Sequence, residues 1–277
     1  MKRVSNISLL HYIKLVVRSL ALLGMTAVYV IGRATGDSDP FGFLRGFGFL
    51  HIVIFSVFAV EVTLRFFPSR LESMGCQKQF KRNYIPTVES ARGRHRLGTW
   101  RSTLAVLLSW LALNGVFAAL YYTGLIDAGI LVLISLFYSV ADMICILFFC
   151  PFQTWFMKNK CCGSCRIYNW DYAMMFTPLA LVPHPLARAL FFLGIALLLL
   201  WEVVIIVHPE RFDVETNAAL RCVNCPERLC HHKRQLRSFL RRYGERFRVK
   251  ENIALLADQL QKRLPTRKKG DGDHREK

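Results

Sequence analysis

Two C-x-x-C pairs carry the clearest chemical signal in this chain: Cys162 with Cys165, and Cys222 with Cys225. A tight turn lets both sulfurs of such a pair converge on one metal ion. Two pairs complete the four-thiolate set that zinc and iron–sulfur centres favour. Gly163 lies inside the first turn and Cys161 directly precedes it. The second pair runs into Pro226 and then Cys230-His231-His232. Cys162, Cys165, Cys222 and Cys225 are therefore the expected ligands, with Cys161, Cys230, His231 and Cys150 in reserve. Zinc is the metal expected from two such pairs with histidines nearby.

An iron–sulfur centre is the alternative, because Cys150 and Cys225 each precede a proline. In this the chain loosely resembles the membrane ferredoxin-type quinol dehydrogenase subunits, which place cysteine motifs after their spans. The resemblance covers only these few residues, and the full C-x2-C-x2-C-x3-C-P run is missing. It implies a redox protein exchanging electrons with quinone. Cys76 and Cys145 stand alone and read as small apolar packing residues.

A second constellation is ionisable and lies within apolar stretches. Asp142 falls deep in one of them, with Glu61, Glu202, Arg18 and Arg65 nearer the ends of others. Charge at membrane depth is costly, so such residues pair or work. Asp142 reads as a structural partner of Arg18, Tyr138 or Asn114, or alternatively as the ion or solute site of a transporter. No nucleophile elbow, phosphate-binding glycine loop or H-E-x-x-H motif is present, so nothing in the sequence marks an enzyme.

The elements that must position these groups are membrane helices. Apolar residues make up 53% of the 277. They cluster into runs near residues 15–31, 46–64, 103–125, 128–150 and 187–207, and about 20 apolar residues cross a bilayer as a helix. Residues 172–183 form a sixth, shorter run broken by Pro178, either a short span or a re-entrant segment. The expected fold is all-α: a polytopic helical bundle of about six spans over residues 1–207, then a basic helical tail over 208–277.

Charge orients it. Of the 37 Lys and Arg, 34 fall in residues 1–18, 64–101, 151–171 and 208–277. The positive-inside rule then puts both termini and the larger loops in the cytosol, in a multi-pass cell-membrane protein. Eight of the nine cysteines fall at or beyond that same face. Cytosolic thiols stay reduced, which favours metal ligation over disulfides. Trp155, Tyr168, Trp170 and Tyr172 suggest that the 151–171 loop lies along the headgroups. The net charge of +18 needs no nucleic acid: anionic lipid beside the basic tail, or a protein partner, suffices.

Overall fold

The computed structural model describes residues 6–36, 48–68, 77–88, 100–158, 165–224 and 238, with side chains from residues 9 and 52 onward in the first two stretches. The chain divides into two compact units, Met1–His232 and Lys233–Lys277. The second unit, where the amphipathic tail helices are expected, lies outside the described residues apart from residue 238.

The described chain is all-helical, without strands. Its main helices are α1 (Asn6–Ala34), α2 (Gly48–Leu64), α3 (Trp100–Tyr122), α4 (Ala128–Leu147), α5 (Asp171–Phe176) and α6 (Pro185–Val207). Among the described residues, four stretches are long and apolar enough to cross a membrane: Leu9–Ala34, Trp100–Tyr122, Ala128–Leu147 and Pro185–Val207. At 17 residues, α2 spans about 26 Å, a little short of a hydrocarbon core of about 30 Å.

Helix α1 begins at Asn6, well before the apolar run near residue 15. The reason is its inverted amphipathicity. His11, Lys14 and Arg18 recur at helical spacing on one face, and His11 and Arg18 are buried. Leu9, Ile13, Val16, Val17 and Leu20 are exposed. A polar stripe turned inward and an apolar stripe turned outward suit a helix whose surroundings are lipid.

Helix α4 lies innermost, packed along α1 and against the broken segment that follows it. Its N-terminus is capped by Asp127, whose carboxylate accepts from the Ile130 amide at 2.9 Å. Tyr29 donates to the same carboxylate at 2.7 Å, and Arg33 pairs with it at 3.0 Å. The α3–α4 hairpin is thereby latched to the end of α1. Gly124 takes a φ of +74° in that turn, where a side chain would strain the backbone.

The interrupted run becomes α5 followed by a 3-10 turn, Thr177–Leu181. The interruption is satisfied partly by neighbouring helices and partly from within the segment. Ser135 donates to the Met175 carbonyl at 2.9 Å, and Thr177 donates to the Ala173 carbonyl at 2.7 Å. Trp110 donates to the Thr177 hydroxyl at 3.2 Å. Non-helical backbone at membrane depth requires such partners. Tyr172, Met175 and Phe176 are buried in the main core with Phe58, Val62, Leu131 and Leu197. A Cβ at Gly194 would sit 3.1 Å from the Tyr172 carbonyl oxygen, so α6 approaches α5 at a glycine.

The expected headgroup belt is only partly present. Trp155 is exposed, whereas Trp170 and Tyr172 are buried. Their polar tips are met inside the protein: the Trp170 indole donates to Glu202 at 2.7 Å and the Tyr172 hydroxyl to Glu61 at 3.2 Å. Residues 165–170 thus turn into the bundle.

Candidate functional site

Six ionisable groups from four elements meet at one end of the bundle. Arg18 on α1 is central: it pairs with Glu61 on α2, reaches Asp142 on α4 at 3.5 Å and donates to the Ser139 carbonyl at 3.0 Å. Lys14, one turn earlier, lies 3.4 Å from Glu61. Arg65 pairs with Asp171 at 2.7 Å, and its guanidinium stacks over Tyr172 at 4.9 Å and Tyr168 at 5.6 Å. Three cations thus face three carboxylates, and the set balances. Balance and mutual hydrogen bonds are what make buried charge tolerable in a low dielectric.

Of the alternatives open for Asp142, the structure has the pair with Arg18. Asn114 instead donates to the Trp110 carbonyl at 3.0 Å. The Tyr138 hydroxyl is buried without a hydrogen-bond partner among the described residues. Glu202 is also internally committed, to Arg166 at 2.8 Å and to Trp170.

Beside this centre lies a cavity of about 140 Å³. Asp142 and Asp171 stand in its wall with Trp110, Tyr138 and Tyr168, and so do Cys145, Cys150 and Cys165. A second, almost wholly apolar cavity of about 90 Å³ lies against Phe176, Leu179, Val182 and His184. The two cavities flank successive halves of the broken segment.

The expected metal ligands fall unevenly. Cys165 is buried against Val106, Met157, Ile167 and Trp170, and it shares the larger cavity's wall with the reserve ligand Cys150. Cys222 is exposed, on a 3-10 turn Cys222–Asn224. Cys161, Cys162, Cys225, Cys230 and His231 lie outside the described residues, as does Cys76. Among the described residues, no three His, Cys, Asp or Glu side chains are grouped to hold a metal.

The loops bearing these cysteines share one anchor. Asn169 donates to the Gln79 side chain at 2.8 Å. Asn217 donates to the Lys78 carbonyl at 3.1 Å and to the Arg211 carbonyl at 2.8 Å. Its side-chain oxygen accepts from the Ala219 amide at 3.0 Å. An isolated bridge joins Pro86 to Asn217, and the Ala218 amide donates to the Ile85 carbonyl at 2.8 Å. Residues 77–88, 165–170 and 208–224 therefore form one cap.

Sequence reasoning missed part of this. Asp171 sits just ahead of an apolar run and read as a loop residue. His11 lies buried, with neither ring nitrogen hydrogen-bonded among the described residues. Its three- and seven-residue spacing to Lys14 and Arg18 was the available signal. Nothing local marks Asn217 or Asn169, whose partners lie about 140 and 90 positions away. Compared with known protein families, curated proteins and solved structures, the chain matches none.

Proposed function

We propose that this is a multi-pass membrane protein whose cytosolic thiolate site, binding zinc, fastens the basic tail to the bundle in a structural or regulatory role. The supporting observation is the shared anchor at Lys78–Gln79. Asn169, four positions after Cys165, and Asn217, five before Cys222, both bond to this dipeptide. Cys76 lies two positions before it in sequence. Two cysteine-bearing segments thus meet at one dipeptide, and a metal bound by their sulfurs would cross-link them. Cys162, Cys165, Cys222 and Cys225 are the proposed ligands, with Cys161, Cys230, His231 and Cys150 as replacements. Anionic lipid is the proposed neighbour of the tail, which carries 18 Lys and Arg residues from position 208 onward.

The test is limited proteolysis of the detergent-purified protein. Replacing Cys222 and Cys225 together by serine should release the tail to protease while the bundle stays intact. The same release is expected from Cys162→Ser combined with Cys161→Ser. An unchanged digestion pattern in both variants would contradict a metal-fastened tail.

A second reading, transport of a small solute, is favoured by one observation: the broken segment has a cavity against each half. Interrupted helices often line substrate sites in transporters. On this reading Asp142→Asn abolishes flux in reconstituted vesicles without loss of folded protein. Retained flux, or no flux in the parent protein with any small cation, would exclude it.

A further inference from the structure

The larger cavity has a chemical character that neither the metal reading nor charge balance explains. Both charged residues in its described wall are acidic, Asp142 and Asp171. The cations that neutralise them, Arg18 and Arg65, stand behind those carboxylates and do not line the space. The two acids are also held unequally. Asp171 has a close guanidinium at 2.7 Å, whereas Asp142 has Arg18 at 3.5 Å, and Arg18 is shared with Glu61 and the Ser139 carbonyl. The space therefore presents negative charge at one end.

Apart from Gln153, Cys145, Cys150 and Cys165, the rest of the wall is aromatic and apolar. Trp110 and Tyr138 pack with ring centroids 4.7 Å apart, and Tyr168 joins them in the wall. The Tyr138 hydroxyl, buried and without a hydrogen-bond partner among the described residues, is an unspent polar group in the same wall. Aromatic faces beside a carboxylate attract ammonium groups through both the ring quadrupole and direct charge. At about 140 Å³ the space resembles a cavity of about 150 Å³ that accepts benzene. A bare metal ion is a poorer fit, because no three ligating side chains are grouped among the described residues.

We infer that this cavity is a binding site for a small organic cation, an alkyl- or arylammonium compound of about ten heavy atoms or fewer, with Asp142 as its counter-ion and Trp110 and Tyr138 as its aromatic wall. The wall shares Cys165 and Cys150 with the metal reading, but the binding argued here uses neither sulfur, and it holds whether or not the ligand crosses the membrane.

The probes are benzylammonium and benzyl alcohol, which match in size and differ in charge. Calorimetric titration of the full chain in mild detergent should show benzylammonium binding about tenfold more tightly or better. Asp142→Asn should bring the two affinities to within about threefold, since Arg18 keeps Glu61 and the protein stays folded. Ala141→Phe, which fills the space from another wall residue, should remove binding of both probes while leaving every charge in place. Equal affinities in the parent protein, no binding of either probe, or an undiminished preference in Asp142→Asn would each overturn the assignment. Flux measurements and metal content enter none of these outcomes, so failure here is separable from failure of the readings above.

Discussion

At the scale of single residues, Arg18 decides whether the interior charge is tolerable. It touches both Glu61 and Asp142, so its loss takes the paired cation from Asp142 and leaves Glu61 only Lys14 and the Tyr172 hydroxyl. Arg18→Met should therefore cost about 3–5 kcal/mol, read as a large fall in folded yield and thermal midpoint in detergent. The two acids are not equivalent. Glu61 faces Lys14, Arg18 and the Tyr172 hydroxyl, whereas among the described residues Asp142 has one long pair, with Arg18. Glu61→Gln should accordingly lower the thermal midpoint clearly more than Asp142→Asn. The reverse order would mean that Asp142, not Glu61, carries the structural charge. The Arg18–Asp142 pair was legible in the sequence because both residues are expensive in lipid and few partners lie at matching depth. Arg65–Asp171 was not, because Asp171 precedes an apolar run and its burial depends on how residues 165–170 turn inward.

At the scale of elements, the broken segment and the cap are the parts most sensitive to small changes. Tyr172 and Ala173 backbone atoms would lie 3.1–3.3 Å from a Cβ at Gly194, and backbone cannot rotate away. Gly194→Val should destabilise the bundle by about 1–3 kcal/mol through overpacking, with Gly194→Ala milder; thermal unfolding followed by tryptophan fluorescence measures it. In the cap, Asn217 is fully buried and its loss leaves several backbone groups unpaired, each worth about 1–3 kcal/mol. Hydrogen exchange should then accelerate together over residues 77–88 and 209–224 in Asn217→Ala. Acceleration confined to one segment would mean that they are held independently. Hydropathy read four long helices well, since continuous apolar runs have one stable form in lipid. It misplaced the start of α1 because a charged face turned inward looks, to a running average, like the end of a span. The cap was illegible for a different reason: amide side chains bonding across about 90 to 140 positions leave no periodic trace.

At the scale of the whole molecule, the apolar helices are those of a membrane-embedded protein, and the proposed orientation follows from the charge split between loops. Exposed Cys222 offers a direct check. In sealed right-side-out cells an impermeant maleimide should leave Cys222 unmodified until the membrane is opened, once the other cysteines are replaced by serine. Labelling in intact cells would invert the topology and with it the redox argument for metal ligation. The central claim is the metal itself. The most direct measurement is metal content with the visible absorption spectrum, on protein purified anaerobically in mild detergent. About one zinc per chain without colour, lost when Cys222 and Cys225 are replaced by serine, is the predicted result. Metal-free protein, or iron with a band that bleaches on reduction, would contradict it.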